Sequence, residues 1–128
     1  MWGVNKGMKR EFVMTELFDS SWKKQKLTDN DLCILQDELP RNTTCGEVMR
    51  GTGGFRKMRY ALSGHGKSGS MRIIYLDIAE FEMLYLMFAY SKSEKDSLSN
   101  NERNELKKLS QNIKKYLHNR KGKGVKHG

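Results

Sequence analysis

The sequence predicts a small α+β domain with the element order β-α-α-β-β-β-α, in which one antiparallel sheet carries a helical hairpin and a C-terminal helix. Two observations lead to this class. Apolar residues repeat at helical spacing near both ends of the chain, and three runs rich in β-branched and aromatic residues lie between them. With 128 residues, the chain can form one domain, and we expect the helices mainly on one face of the sheet.

The first three elements are a short strand and a helical hairpin. A β-prone run covers Lys9–Thr15, and the spacing predicts a helix over Glu16–Lys26. Thr28 and Asp31 form a capping-box pattern that starts a second helix, and Pro40 ends it. The apolar stripes of the two helices are formed by Phe18 and Trp22, and by Leu32, Leu35 and Leu39.

Three strands follow the hairpin. They are predicted at Phe55–Leu62, Met71–Ile78 and Glu82–Tyr90, separated by the glycine-rich loop Ser63–Gly69 and by a tight turn near Ala79–Phe81. The third run is nearly all apolar. It therefore predicts an internal strand that is buried on both faces.

The last element is a helix that opens at the capping box Ser99-x-x-Glu102 and runs to about Asn119. Its apolar stripe is formed by Leu106, Leu109, Ile113 and Leu117. We therefore expect a single domain over residues 8–119, preceded by residues 1–7 as a native arm or a non-native leader. Residues 121–128 alternate glycine and lysine, and residues 120–128 are predicted to form a basic flexible tail.

Several classes of protein are excluded at this point. No run of eighteen apolar residues could span a membrane, and the N-terminus lacks the apolar segment of a signal peptide. We therefore expect a cytoplasmic protein without a membrane contact. Cys33 and Cys45 form no CxxC pair and the histidines are scattered, so we expect reduced thiols, no metal site and no cofactor.

The net charge of +9 is distributed unevenly along the chain. Residues 11–49 hold four basic and eight acidic groups, whereas residues 50–75 hold six basic groups and no acid. A basic excess indicates an anionic partner such as nucleic acid, and the segregation places that partner at residues 50–75.

The basic segment contains a pair of cations on one strand face. Lys57 and Arg59 share one side of their strand, Arg56 lies on the other side, and Arg72 on the neighbouring strand can come beside Arg59. Lys67 lies on the loop between the two strands. We interpret this as a concave sheet surface suited to a phosphodiester backbone, and the alternative is a solvated strand face without a ligand.

Three other features could carry chemistry. The glycine-rich segment 51–54 resembles a phosphate-binding loop, but no helix follows it, so we interpret it as a turn before a strand. His65, on the hairpin loop, is a candidate general base because its reference pKa is near neutrality. The stretch from Tyr90 to Leu98 contains a phenol, two amines and two carboxylates. These groups could be functional, and the alternative is that the stretch is only a polar link to the last helix.

Four of these segments together resemble the RelE/ParE superfamily of bacterial toxins, and most closely its HigB-type branch. They are GTGGFRKMRY at Gly51–Tyr60, the glycine-lysine loop, RIIY at Arg72–Tyr75 and FAYSKSEKDSL at Phe88–Leu98. The resemblance runs from about Met8 to Leu117. It implies a compact fold like that of microbial RNases and a ribosome-dependent endonuclease that cleaves mRNA in the A site of the small subunit. It also implies metal-independent attack by the ribose 2′-hydroxyl, which inhibits translation.

The resemblance also implies roles for individual residues. The two basic strand residues of the family fall on Lys57 and Arg59, and the arginine of the next strand falls on Arg72. The basic residue after the last strand falls on Lys92 or Lys95. Some members carry a tyrosine in that segment, but residues 96–99 contain none, so Tyr90 can replace it only if it faces the cleft. The general base stays open among Lys57, Tyr90, Lys92 and Glu94, and further RNA contacts are expected from Arg56, Lys67 and Lys95.

The resemblance implies a cognate antitoxin as the partner, in a complex that we expect to be oligomeric. The antitoxin should bring acidic contacts to the basic cleft, and the acidic hairpin is either a scaffold on the opposite face of the sheet or part of the antitoxin contact. Two other functions stay open: a non-catalytic toxin of the same fold that inhibits DNA gyrase, and a plain nucleic-acid-binding module.

Overall fold

The computed structural model describes residues 10–25, 27–61, 70–91 and 98–127. It is an α+β structure of five strands and three helices, with two short 3₁₀ turns at Leu39–Asn42 and Ala79–Phe81. The elements are β1 (Glu11–Met14), α1 (Glu16–Lys24), α2 (Asp29–Glu38), β2 (Glu47–Val48), β3 (Arg56–Ala61), β4 (Ser70–Ile78), β5 (Met83–Ser91) and α3 (Asn100–His127). The predicted α+β class is confirmed, and β2 is an additional short strand. None of the helices in the described ranges has the length and apolarity needed to cross a bilayer.

The sheet is mixed, so the prediction of a purely antiparallel sheet is wrong in one respect. Its strand order is β1-β5-β4-β3-β2, and β1 pairs with β5 in parallel while the other neighbours are antiparallel. The hairpin of α1 and α2 carries the chain from β1 to the far edge of the sheet. The chain then returns strand by strand until β5 reaches β1, and the two run in the same direction.

The helices cover both faces of the sheet, so the prediction that they lie mainly on one face is also wrong. On the face that we call the hairpin face, α1 and α2 bury Phe18, Trp22 and Leu35 against the strands. On the other face, which we call the α3 face, Leu117 of α3 packs with Phe55, just before β3, and with apolar strand residues. This division follows from β5, which is almost wholly buried and needs an apolar partner on each side.

Local capping signals set the helix starts as the sequence predicts. Thr28 and Asp31 form the reciprocal bonds of a capping box at α2, and Ser99 and Glu102 do so at α3. The helix ends differ from the prediction. The first helix ends at Lys24 rather than Lys26, which lies outside the described residues, and α3 continues to His127 rather than ending near Asn119.

Beyond the residues of β5 that pair with β1, the edge of β5 is covered by α1. The Ser21 hydroxyl accepts a 3.0 Å hydrogen bond from the backbone N–H of Ala89 and donates to the carbonyl of Phe18. Thr15, the N-cap of α1, accepts a bond from the N–H of Phe18 and donates to carbonyls of β5. The hairpin is therefore fixed to the strand that carries one end of the candidate site.

Because several tyrosine side chains are buried, we expect the protein to lose stability at alkaline pH. Burial, with smaller contributions from Glu38 and Asp31, raises the pKa of Tyr60 to about 12, and burial also raises the pKa of Tyr75 and Tyr85. The unfolded chain ionises its tyrosines near pH 10 while the folded chain keeps the protons. The free energy of unfolding should therefore fall as pH rises from about 10 towards 12. Urea unfolding at several pH values should show a smaller decline in Tyr60→Phe, and an unchanged decline would contradict this account.

Candidate nucleic-acid interface

Two arginines lie opposite each other at one end of the sheet. Arg59 of β3 pairs in register with Arg72 of β4, and Arg72 pairs in turn with Tyr90 of β5. Residues opposite each other on neighbouring strands share a face, with Cβ atoms about 5 Å apart. Arg59 and Arg72, which we call the basic row, therefore point to the α3 face together, and the predicted juxtaposition is confirmed. Arg59 is exposed and Arg72 is half-buried.

The basic row contains two like charges with few acids near it along the strands. Within the described strands β3, β4 and β5, the one acidic residue is Asp77, near the far end of β4. Its carboxylate binds Arg10 at 2.6 Å. Two guanidinium groups on one face of a sheet can bind the oxygens of one phosphate. The geometry of the row therefore suits a phosphate ligand.

Lys57 has a different environment from the two arginines. It lies on the same strand face as Arg59, but its register partners are Ile74 on β4 and Glu47 on β2. Glu47 is not predictable as a neighbour of Lys57 from the sequence alone, because it lies outside the basic segment along the chain. The pairing of β2 with β3 brings an acid to the Lys57 end of the surface.

Tyr90 is in line with the basic row but is not at the surface. Tyr90 is 2% exposed and lies within the core of the α3 face. The centre of its ring is 5.7 Å from that of the Phe88 ring. Tyr90 lies on the same face of the sheet as the arginines. In this conformation, however, its hydroxyl lies within the core rather than in an open cleft.

Of the other predicted contacts, only Arg56 lies in the part of the chain that the structure describes, and it is not at the row. Arg56 points to the hairpin face, where its Nη1 donates a 2.7 Å hydrogen bond to the carbonyl of Gly46. Five further candidates lie outside the described residues: His65, Lys67, Lys92, Glu94 and Lys95. Cys33 and Cys45 are free, exposed thiols. In the described part of the chain, no three His, Cys, Asp or Glu side chains are grouped to hold a metal ion.

The glycine-rich segment is a turn before β3, as predicted, and it anchors α3. Gly51, Gly53 and Gly54 have positive φ values. The carbonyl of Gly53 accepts hydrogen bonds from Ser110 Oγ at 2.7 Å and from Lys114 Nζ at 3.1 Å. Arg103 donates to the carbonyl of Arg50 at 2.7 Å. These bonds place α3 beside the strand that carries Arg59, and the sequence alone did not indicate them.

This anchor makes Gly53 intolerant of a side chain. At its φ of +77°, an added Cβ would lie 2.8 Å from the Cβ of Ser110. We expect Gly53→Ala to lower the free energy of unfolding by about 2–4 kcal/mol, through left-handed strain and overpacking together. Gly51→Ala is the matched control, since it has φ +78° with open space around it and should cost only the strain, about 1–2 kcal/mol. Equal losses in denaturant unfolding would show that the contact with Ser110 is unimportant.

An open groove of about 680 Å³ lies between α3 and the sheet next to the basic row. Its floor includes Ile74, two residues from Arg72, and Phe88, two residues from Tyr90. Leu17 of α1 and Leu109 of α3 line it and are 54% and 36% exposed. The arginines thus stand next to an apolar surface that these elements leave accessible.

The comparison with known families agrees with this architecture. The family model described as the RelE toxin of the RelE/RelB toxin–antitoxin system matches residues 10–124. The match includes every strand and nearly all of α3.

Proposed function

This chain belongs to the RelE family of toxins from toxin–antitoxin systems, and from that premise we propose that it is a HigB-type endoribonuclease that cleaves mRNA in the ribosomal A site. Members of this family are toxins that generally inhibit translation by acting as endoribonucleases. The observation that supports cleavage by this chain is the register of β3 and β4, which sets Arg59 opposite Arg72 on one face of the sheet. Two adjacent guanidinium groups suit a phosphate that gains negative charge during the reaction.

The proposed reaction is an internal displacement at phosphorus. The 2′-oxygen of the ribose attacks the adjacent phosphate, and the bond from phosphorus to the 5′-oxygen breaks. The products are a 2′,3′-cyclic phosphate and a free 5′-hydroxyl. One group removes the 2′ proton and another protonates the leaving 5′-oxygen. Arg59 and Arg72 stabilise the charge on the five-coordinate phosphate, and no metal takes part.

The proton-transfer groups should come from the segment that follows β5. Ser91, the last residue of β5, is in register with Met71, so the chain leaves the sheet beside the basic row. Lys92 is the next residue along the chain, and Glu94 follows two residues later. Lys57 has Glu47 opposite it and Tyr90 is buried, which makes these two weaker candidates for the base. Lys95, like Lys67, is proposed to contact the RNA.

We propose that the antitoxin covers the basic row and the apolar groove beside it, in an oligomeric complex. An acidic segment would neutralise Arg59 and Arg72, and apolar side chains from the same segment would cover Leu17 and Leu109. The acidic hairpin packs on the opposite face of the sheet, which supports a role as scaffold. The toxin itself would act in the bacterial cytoplasm, where translating ribosomes are its target.

Mapping of mRNA 5′ ends after induced expression tests this function. We expect new ends inside translated codons, which disappear when the same transcript lacks a start codon or when initiation is blocked. Cuts that persist in untranslated RNA would contradict ribosome dependence. DNA damage and induction of the SOS response with intact mRNA would instead indicate a gyrase inhibitor.

A further inference from the structure

The second half of α3 is strongly basic. After Glu105 the chain contains no acidic residue, and it contains eight basic ones. They are Lys107, Lys108, Lys114, Lys115, Arg120, Lys121, Lys123 and Lys126. The helix has 28 residues and is therefore about 42 Å long. The five basic side chains up to Arg120 are exposed along this helix.

The end of α3 around Leu117 and His118 is far from the basic row. The ring centre of His118 lies 5.1 Å from that of Phe81, in the turn between β4 and β5. His118 Nε2 lies 3.9 Å from the carboxylate of Glu80 in the turn between these strands. Six residues separate Arg72 from Ile78 along β4, which corresponds to about 20 Å. One phosphate therefore cannot contact both places.

An aromatic ring is exposed within this basic region. Tyr116 is 58% exposed, and the guanidinium carbon of Arg120 lies 5.7 Å from the centre of its ring. Lys115 is exposed and lies away from Leu117, which is 1% exposed on the buried side of the helix. The exposed ring beside the Arg120 guanidinium provides a stacking surface for a base and a charge for one flanking phosphate, and Lys115, one residue along the helix, provides a further charge.

We propose that Lys115, Tyr116 and Arg120 form a second nucleic-acid-binding surface, which binds a single-stranded stretch of RNA through its phosphates and one unpaired base. The identification of the ligand as RNA rests on the proposed function, since the ribosome presents such strands to a bound toxin. The surface holds the toxin on RNA and takes no part in cleavage. We call it the α3 surface.

The α3 surface is tested by fluorescence anisotropy with a labelled single-stranded 12-nucleotide RNA and with a duplex of the same sequence. Tyr116→Ala should weaken binding to the single strand by about 5-fold or more but leave the duplex nearly unchanged, whereas Tyr116→Phe should bind like the wild type. The double variant Lys115→Gln/Arg120→Gln should reduce the slope of log affinity against log salt by about 1.4 on the single strand. Lys23→Gln/Arg41→Gln removes the same net charge from the hairpin and should leave the slope unchanged.

Two results would overturn the proposal. One is a Tyr116→Ala variant that keeps wild-type affinity, or loses it equally on both probes. The other is an equal change of salt slope in the α3 and hairpin double variants, because binding would then depend only on total charge. Both experiments use free RNA and measure no cleavage. The proposed α3 surface can therefore prove wrong while ribosome-dependent cleavage holds, and ribosome-dependent cleavage can prove wrong while the α3 surface holds. Thermal unfolding of each variant checks that the helix is intact.

Discussion

Replacing Arg72 by alanine is expected to slow mRNA cleavage on the ribosome by about 10²–10³-fold, the usual cost of removing one group that stabilises charge in a transition state. Arg72 lies between Arg59 and Tyr90 in the register of the sheet, at the centre of the proposed phosphate site. Arg72→Lys should stay well below the wild type, because an ammonium group lacks the two-pronged geometry of guanidinium. Cleavage rates on ribosomes that carry a defined mRNA measure both effects, and growth arrest should be lost with them.

Arg41→Ala is the matched control for this experiment. Arg41 is an exposed arginine that pairs with Asp37, one helical turn earlier on the hairpin. Its removal should change the cleavage rate less than twofold, since it is remote from the proposed site. Wild-type cleavage by Arg72→Ala, with normal unfolding behaviour, would exclude Arg72 from the reaction.

Arg10→Ala is expected to have the largest effect on stability. It should lower the free energy of unfolding by about 3–5 kcal/mol, because it leaves a buried carboxylate without its partner. Arg10 Nε lies 2.6 Å from Asp77 Oδ1, and both side chains are largely buried, with 7% and 11% exposure. The hydrogen bond to Asp77 raises the pKa of Arg10 above its usual value. The pair links the start of β1 to β4 across β5, so its loss should loosen the edge of the sheet. Urea unfolding at pH 7 measures the free energy.

Two further variants test whether the loss comes from breaking a buried ion pair. Arg10→Leu combined with Asp77→Leu removes both charges and should recover most of the lost stability, as apolar replacements of buried pairs commonly do. Lys23→Ala breaks an exposed pair with Asp19 and should change the free energy of unfolding by less than about 1 kcal/mol. A loss in Arg10→Ala no larger than that in Lys23→Ala would contradict the account.

Local signals predicted the parts of the fold that depend on nearby residues. The capping boxes at Thr28 and Ser99 act over three residues, so sequence alone located both helix starts. The two faces of β3 follow from strand alternation, which correctly separated Arg56 from Arg59. The approach of Arg72 to Arg59 follows from the antiparallel pairing of two strands that are consecutive along the chain.

Features set by distant pairing were not predictable in this way. The parallel pairing of β1 with β5 joins residues about seventy positions apart, and no local pattern specifies it. The position of α3 on the second face depends on Ser110 fitting against Gly53. The acid opposite Lys57 depends on β2, a strand of two residues that carries almost no periodicity.

The central claim, that the basic row cleaves mRNA only on the ribosome, is tested most directly with purified components. The wild-type protein, Arg59→Gln and Arg72→Gln are each incubated with a defined mRNA, either free or on ribosomes with an open A site. We predict 5′-hydroxyl ends within the A-site codon for the wild type on ribosomes alone, and a loss of about 10²-fold or more in each variant. Equal cleavage of free mRNA, or wild-type cleavage by both variants, would contradict the account.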